Sequence, residues 1–189
     1  MQDMDARLEA EWIRGITAGD RLAFRSLFQA YQKRLYRYLM TVVGETGPAD
    51  ELVNDVMVAV WKGAGSFRGE SRPSTWIFGI AHHKAMNHIR RKPLPLVDLD
   101  AASEVPDPAE GPEQNAERAR LAAALGPALE RLSPAQREVV EMTFGQGLSY
   151  PEIAAITRCP VGTVKTRMFH AKKLLLAALA GDGARGGAR

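Results

Sequence analysis

One segment near the middle of the 189-residue chain differs sharply in composition from everything on either side of it. It reads KPLPLVDLDAASEVPDPAEGPEQNAE, and its residues 93–117 hold seven Asp or Glu and no Lys or Arg. Its prolines remove backbone donors, and it has neither helical nor strand periodicity. We therefore predict a linker that divides the chain. The predicted segments are a domain at 1–92, the linker at 93–115, a domain at 116–180 and a flexible tail at 181–189.

The predicted linker has two possible roles. Fully extended, 23 residues span at most roughly 76–83 Å. The segment is either a solvated spacer or an acidic strand that lies in a basic channel of a partner, and its composition alone favours the spacer.

Both flanking blocks are basic. Residues 1–92 hold 14 Lys or Arg against 10 Asp or Glu, and residues 118–189 hold 11 against 5. Two positive blocks around an acidic strip indicate nucleic-acid contact at both ends of the chain.

Several function classes find no support in the residues. The single cysteine, Cys159, excludes an internal disulfide framework. The acidic N-terminus and the lack of a long apolar run argue against a signal peptide or membrane span, so we expect a cytoplasmic protein. There is no nucleotide-binding loop, carboxylate pair or Ser/His/Asp set, so we expect no catalytic residue, no cofactor and no small-molecule substrate.

The periodicity predicts an all-α fold of two small helical domains joined by the acidic linker. In the first block we predict a helix near 3–18 and a helix near 73–91 that follows the loop GAGSFRGESRPS. Two helices between them carry apolar positions at helical spacing. These positions are Leu22, Phe24, Leu27, Phe28, Tyr31, Leu35, Leu39 and Val43, and then Leu52, Val53, Val56, Val60 and Trp61.

Three of the four histidines lie within GIAHHKAMNHIRRK at residues 79–92, which raises the possibility of a metal site. A helix turns about 100° per residue, so His82, His83 and His88 fall on different faces and form no i,i+4 pair. The helical wheel places one group of side chains on a solvent side and another on a core side. The solvent side holds Trp76, Ile80, His83, Lys84, Asn87, Arg90 and Arg91, and the core side holds Ile77, Phe78, Ala81, Ala85 and Ile89.

The second block contains two capping boxes, SPAQ from Ser133 and SYPE from Ser149. They predict a helix that ends near 145–147 and a short helix from Tyr150 to about Thr157. After the turn RCPVG, a long helix is predicted from Val161 to about 180. A short helix, a tight turn and a longer helix form a helix-turn-helix.

The last helix has the composition of a DNA-recognition helix. Val161, Val164, Met168, Ala171, Leu175 and Ala178 form its buried stripe. The opposite face holds Thr163, Lys165, Thr166, Arg167, Phe169, His170, Lys172 and Lys173, and no acidic residue interrupts it between 161 and 181. Donors and cations in this arrangement favour DNA binding over a plain amphipathic helix. Cys159, in the turn before it, is more consistent with a structural role than with a redox sensor, because it has no resolving partner.

These motifs together resemble bacterial sigma factors of the extracytoplasmic-function (ECF) type. FRSLFQAYQKRLYRYL, ADELVNDVMVAVW and FRGESRPSTWIFGIAHHKAMNHIRRK resemble sigma region two in its usual order. LSPAQREVVEMTFGQGLSYPEIAAITRCPVGTVKTRMFHAKKLL resembles region four. The resemblance covers about residues 20–178.

The resemblance implies a promoter-specificity subunit that is held inactive by an anti-sigma factor until a stress or signal releases it. It implies docking on the core RNA polymerase clamp through Asp50, Glu51, Asn54 and Asp55, and contact of region four with the flap. It implies minus-ten recognition and melting through Phe67, Arg68, Ser71, Arg72, Ser74, Trp76, Ile80, His83, Lys84, Asn87, Arg90 and Arg91. It implies minus-thirty-five recognition through Thr163, Lys165, Thr166, Arg167, Phe169, His170 and Lys173. The resemblance also implies a linker that runs towards the RNA exit path, which adds support to the channel role.

Two alternatives stay open on the residues alone. One is a conventional dimeric helix-turn-helix regulator that binds duplex DNA without polymerase and favours palindromic sites. The other is a metalloenzyme that uses the histidine cluster. The chain also departs from the family's usual residues at His83, Asn87 and His170, so a typical member's promoter preference does not transfer.

Overall fold

The computed structural model of the chain describes residues 2–91 and 125–183. The predicted linker, its junctions with both domains and residues 184–189 of the predicted tail lie outside them. We call residues 2–91 the first domain and residues 125–183 the second domain. Throughout these two ranges, all regular elements are helices. They are α1 (Gln2–Thr17), α2 (Arg21–Val43), α3 (Thr46–Gly63), a 3-10 turn (Ala64–Ser66), α4 (Pro73–Arg91), α5 (125–130), α6 (Pro134–Val140), a π-helical turn (Glu141–Gly145), α7 (Tyr150–Thr157) and α8 (Val161–Gly183).

The first domain packs α1 to α4 around an apolar core, as the periodicity predicts. Asp20 caps α2 by accepting from the Leu22 backbone N–H at 2.7 Å, and Gly44 ends the helix in the left-handed conformation at φ 79°. Tyr31, Tyr38 and Phe78 are among its largest fully buried side chains.

One predicted core position is wrong: Ile89 is 43% exposed. Leu22, which has the helical spacing of the apolar positions of α2, is 71% exposed. Each lies in a terminal turn of its helix, where the apolar stripe continues but no element within residues 2–91 and 125–183 covers it.

The second domain confirms both predicted capping boxes. The Ser133 backbone N–H donates to Gln136 Oε1 at 2.9 Å, and the Ser149 backbone N–H donates to Glu152 Oε2 at 2.8 Å. Arg158 takes a left-handed conformation, φ 52°, in the turn before α8. Because α8 extends to Gly183, the first three residues of the predicted tail are helical.

The two domains pack directly on one another, which the sequence did not predict. Helix α2 contacts α6 and the π-helical turn, and α4 contacts α7. Buried apolar side chains of both domains, among them Phe78, Val139 and Ile153, belong to one continuous cluster. The face of α4 that lies towards α7 is therefore covered by the second domain.

Candidate nucleic-acid interface

The loop before α4 brings together aromatic and cationic side chains. Phe67 is half-buried, and its ring centroid lies 5.3 Å from that of Trp76. Arg68 and Ser71 are exposed, and the Arg68 guanidinium lies 3.9 Å from the Glu70 carboxylate. An aromatic pair beside a solvent-facing cation is the combination that holds an unstacked base and its phosphate.

Two predicted contacts in this region are less accessible than their neighbours Arg68 and Ser71. Ser74 lies in the first turn of α4 and is 5% exposed. Arg72 is half-buried, and its guanidinium lies 4.0 Å from the carboxylate of Glu152 in the second domain. In this arrangement Ser74 is enclosed, whereas the Arg72 side chain is partly exposed beside the second domain.

The second half of α4 presents a polar surface. His83, Arg90 and Arg91 are exposed, and Asn87 joins two of them. The Asn87 amide nitrogen lies 3.3 Å from His83 Nδ1, and Arg90 donates to the Asn87 side-chain oxygen. Cations and hydrogen-bonding groups thus form one continuous strip along the helix.

The remaining side chains predicted on this face of α4 are less exposed. Trp76, Ile80 and Lys84 are half-buried. The Lys84 ammonium lies 3.3 Å from the Asp55 carboxylate on α3, so the predicted DNA face and the predicted docking face adjoin at this ion pair.

His82 has a role that the sequence analysis missed. Its Nδ1 lies 2.8 Å from Glu138 Oε1, so it faces the second domain and not solvent. The partner is 56 positions away, so no local spacing could reveal it. In the part of the chain that the structure describes, no three His, Cys, Asp or Glu side chains are grouped so that they could hold a metal ion.

The predicted docking residues share one exposed surface of α3. Asp50, Glu51, Asn54 and Asp55 are all exposed, whereas Leu52, Val53 and Val56 on the opposite face are buried. The surface carries three carboxylates, which suits a basic partner.

The solvent face of α8 is cationic and open. Lys165, Thr166, Phe169, His170 and Lys173 are exposed. The Phe169 side chain is 65% exposed, and its ring centroid lies 5.5 Å from that of His170. Thr163 and Arg167 are half-buried. Val164, Met168 and Ala171 are buried beneath this face, so the helix is fixed by one side and free on the other.

Cys159 is half-buried in the turn between α7 and α8. Its Sγ lies 3.2 Å from Thr157 Oγ1 and 3.9 Å from the Arg167 guanidinium. It packs against the apolar cluster, which agrees with a structural role.

Two family models match the chain. Residues 27–93 match Sigma-70 region 2, and residues 123–175 match Sigma-70, region 4. Within the described residues, no helix is long and apolar enough to cross a membrane.

The sequence similarity to known sigma factors extends over most of this chain and most of each relative. The chain is 37% identical to the ECF RNA polymerase sigma factor RpoE of Cereibacter sphaeroides, over 79% of this chain and 82% of the relative. It is 31% identical to the ECF RNA polymerase sigma-E factor of Escherichia coli, over 85% of this chain and 88% of the relative.

Solved structures show the same fold. The sigma factor RpoE from Bartonella quintana, solved with the anti-sigma factor NepR, gives a TM-score of 0.66 at 23% identity, over 83% of this chain and 96% of that one. CnrH, solved with the cytosolic domain of CnrY, gives 0.64 at 23% identity, over 93% of this chain and 99% of that one. The two matched regions, in this order and at this identity, show that the chain belongs to the ECF RNA polymerase sigma factors.

Proposed function

We propose that the chain acts in the cytoplasm as a promoter-specificity subunit with no enzymatic activity of its own. It binds core RNA polymerase and directs it to promoters that carry particular minus-ten and minus-thirty-five elements. The observation that carries the proposal is the joint presence of regions two and four, which are both matched in this chain. A conventional helix-turn-helix regulator would need only the second of them.

Docking on the polymerase clamp is assigned to the exposed acidic surface of α3. Asp50 and Glu51 project from its first half and Asp55 from the middle, and the opposite face is locked into the core. A rigid helix with a charged outer face suits a complementary basic surface, because little conformational entropy is lost on binding.

Minus-ten recognition and melting are assigned to the loop before α4 and the polar strip of α4. Extrusion of a base from a duplex costs a few kcal/mol, and stacking on an aromatic side chain recovers about 1–3 kcal/mol of it. The Phe67–Trp76 pair supplies such a surface. Arg90 and Arg91 supply cations for the backbone of the separated strand.

Minus-thirty-five recognition is assigned to α8, whose exposed face enters the major groove in the manner of helix-turn-helix proteins. We expect Lys165→Ala and Lys173→Ala each to weaken promoter binding to a similar extent on all sequences. In each variant the slope of log K against log salt should become less negative by about 0.9, because one phosphate contact is lost. The measurement is a salt titration of holoenzyme binding to a duplex that spans the minus-thirty-five element.

The matched control for these two variants is Lys33→Ala, which removes an exposed Lys from α2. It should leave the salt slope unchanged. A slope that stays constant in the two α8 variants, or an effect confined to particular base pairs, would contradict the phosphate assignment.

We also propose an anti-sigma partner that holds the chain inactive until a stress or signal releases it. The similar RpoE of Bartonella quintana was solved with the anti-sigma factor NepR, and CnrH was solved with the cytosolic domain of CnrY. Here the exposed cationic face of α8 and the acidic face of α3 are the surfaces that a partner would mask. Purification from the native cell under several growth conditions should recover such a protein bound to this chain, and its absence under every condition would count against the proposal.

Run-off transcription with purified core polymerase tests the proposed function. A promoter-dependent transcript should appear from a library of templates only when the chain is added. If no such transcript appears on any template while the chain alone binds duplex DNA tightly, the chain is a conventional regulator and the proposal fails.

A further inference from the structure

One ion pair joins two surfaces that the proposed function assigns to different partners. Asp55 lies near the middle of α3, on the acidic surface assigned to the polymerase clamp, and Lys84 lies near the middle of α4, on the surface assigned to the minus-ten strand. The Lys84 ammonium donates to Asp55 Oδ2 at 3.3 Å. The two residues are 29 positions apart, and the packing of α3 against α4 brings them together.

The two side chains differ in how open they are to solvent. The Asp55 side chain is 64% exposed, so its carboxylate is accessible to a partner that approaches α3. The Lys84 side chain is 30% exposed, whereas Arg90 and Arg91 farther along α4 are exposed. The ammonium of Lys84 is thus held at the α3 side of a helix whose other cations face solvent.

The pair reduces the useful charge of both surfaces. Helix α4 contains no Asp or Glu, and Asp55, which belongs to another helix, neutralises one of its cations. In the same contact, Lys84 neutralises a carboxylate of the docking surface. Each group is therefore occupied by the other at the position where it is assigned to an external partner.

Neither external partner fits well while the pair is intact. A clamp cation that approaches Asp55 meets the like charge of the Lys84 ammonium, and a strand phosphate that approaches Lys84 meets the like charge of the Asp55 carboxylate. The side chain of Lys84 can leave α3 without movement of the backbone, because an ammonium on a flexible four-carbon stem has many accessible positions. Phosphate contacts from such side chains are a general source of DNA affinity.

We propose that Asp55 and Lys84 exchange partners when the chain assembles with core polymerase and a promoter. In the free chain they pair with each other. In the assembled complex Asp55 pairs with a cation of the clamp, and Lys84 pairs with a phosphate of the separated strand. Asp55 is thereby a positioning residue for minus-ten recognition in addition to its assigned docking role. The inference rests on the proposed function, which supplies both external partners.

The exchange couples the two binding events. An exposed ion pair contributes little to stability, so breaking it reduces an affinity by a factor of about two to five. Whichever partner binds first breaks the pair, and the second partner then binds without this loss. Clamp and strand therefore raise each other's affinity by the same factor, as linkage requires.

The first experiment is a titration of labelled core polymerase with the full chain in the absence of DNA. Lys84→Gln should raise the affinity about two- to fivefold, because Asp55 is then free for the clamp. In an Asp55→Asn background the same substitution should have no such effect, because there is no pair to break. The difference between the two backgrounds isolates the ion pair from the general effect of removing a positive charge.

Two further variants serve as controls. Lys33→Gln makes the same charge change at an exposed position of α2 and should leave the affinity for core polymerase within a factor of about two of wild type. Lys84→Arg keeps the cation and should likewise stay close to wild type. A rise in Lys33→Gln equal to that in Lys84→Gln would assign the effect to net charge and overturn the exchange.

The second experiment measures binding of a fluorescent single strand that carries the minus-ten sequence of a template active in run-off transcription. Asp55→Asn should raise the affinity of the free chain for this strand about two- to fivefold, and it should give no such rise in a Lys84→Gln background. At saturating core polymerase the gain should disappear, because the clamp has already taken Asp55 from Lys84 in the wild-type chain. A role of the pair in stability alone would move neither affinity in this pattern.

Each outcome supports or overturns the exchange. Equal effects of Lys84→Gln in both backgrounds, or a loss of polymerase affinity, would show that the pair does not compete with the clamp. A strand affinity that Asp55→Asn leaves unchanged or lowers would show that the pair does not restrain Lys84. Failure of the proposed function would show separately, because the wild-type chain would then give no saturable binding to core polymerase and no transcript.

Discussion

Charge reversal at Glu51 is expected to weaken binding of the chain to core RNA polymerase at least about 100-fold. Glu51 is exposed in the first half of α3, on the acidic surface assigned to the clamp. Placing like charges together across an interface costs several kcal/mol, and each 1.4 kcal/mol is a factor of ten in affinity. The measurement is a titration of labelled core polymerase with the Glu51→Lys chain.

The matched control is Glu11→Lys, which makes the same charge change on α1. Glu11 is 61% exposed and lies 3.9 Å from Arg14, a surface pair that contributes little to stability. Its affinity for core polymerase should stay within a factor of about two of wild type, an energy difference below roughly 0.5 kcal/mol. Equal losses in both variants would show a general effect of net charge, and an unchanged affinity for Glu51→Lys would remove α3 from the docking surface.

Replacing Phe78 with alanine is expected to destabilise the chain by about 3–5 kcal/mol. Phe78 is fully buried in α4, edge-on to Tyr38 at 5.5 Å between ring centroids and tilted towards Tyr31 at 6.2 Å. Its ring also lies 5.5 Å from the Arg34 guanidinium. Truncation leaves a cavity and removes these contacts together, so the loss is a large fraction of an ordinary domain's stability.

Chemical denaturation followed by circular dichroism measures this loss. Phe169→Ala is the control, because that ring is 65% exposed on α8 and its removal should change the free energy of unfolding by no more than about 0.5 kcal/mol. A loss below about 1 kcal/mol for Phe78→Ala would contradict the packing described for α4.

Local signals in the sequence predicted the elements well. Ser133 and Ser149 mark helix starts because a capping box is encoded within four residues, and the structure confirms both. Pro73 opens α4 for a similar reason, since proline suits the first turn of a helix. The all-helical fold follows from the same periodicity.

Features that depend on distant residues were not predictable in this way. The periodicity of α2 and α4 identifies an apolar stripe but not where the covering helices stop. Ile89 was therefore wrongly placed in the core, and Leu22 on the stripe of α2 is exposed. The helical wheel gave His82 no role, and its contact with Glu138 of the other domain could not be predicted from local spacing. The packing of the domains follows from the complementarity of two folded surfaces, and no spacing along the chain encodes it.

The most direct test of the account is the dependence of run-off transcription on the spacing between the two promoter elements. One chain that binds both elements requires them on a defined face of the duplex, and an insertion of five base pairs rotates one of them by about half a helical turn. With core polymerase and this chain, the account predicts a specific transcript at one spacing, loss of that transcript after the five-base-pair insertion, and loss again when either element is scrambled. A transcript that tolerates the insertion, or one that needs only the minus-thirty-five element, would contradict it.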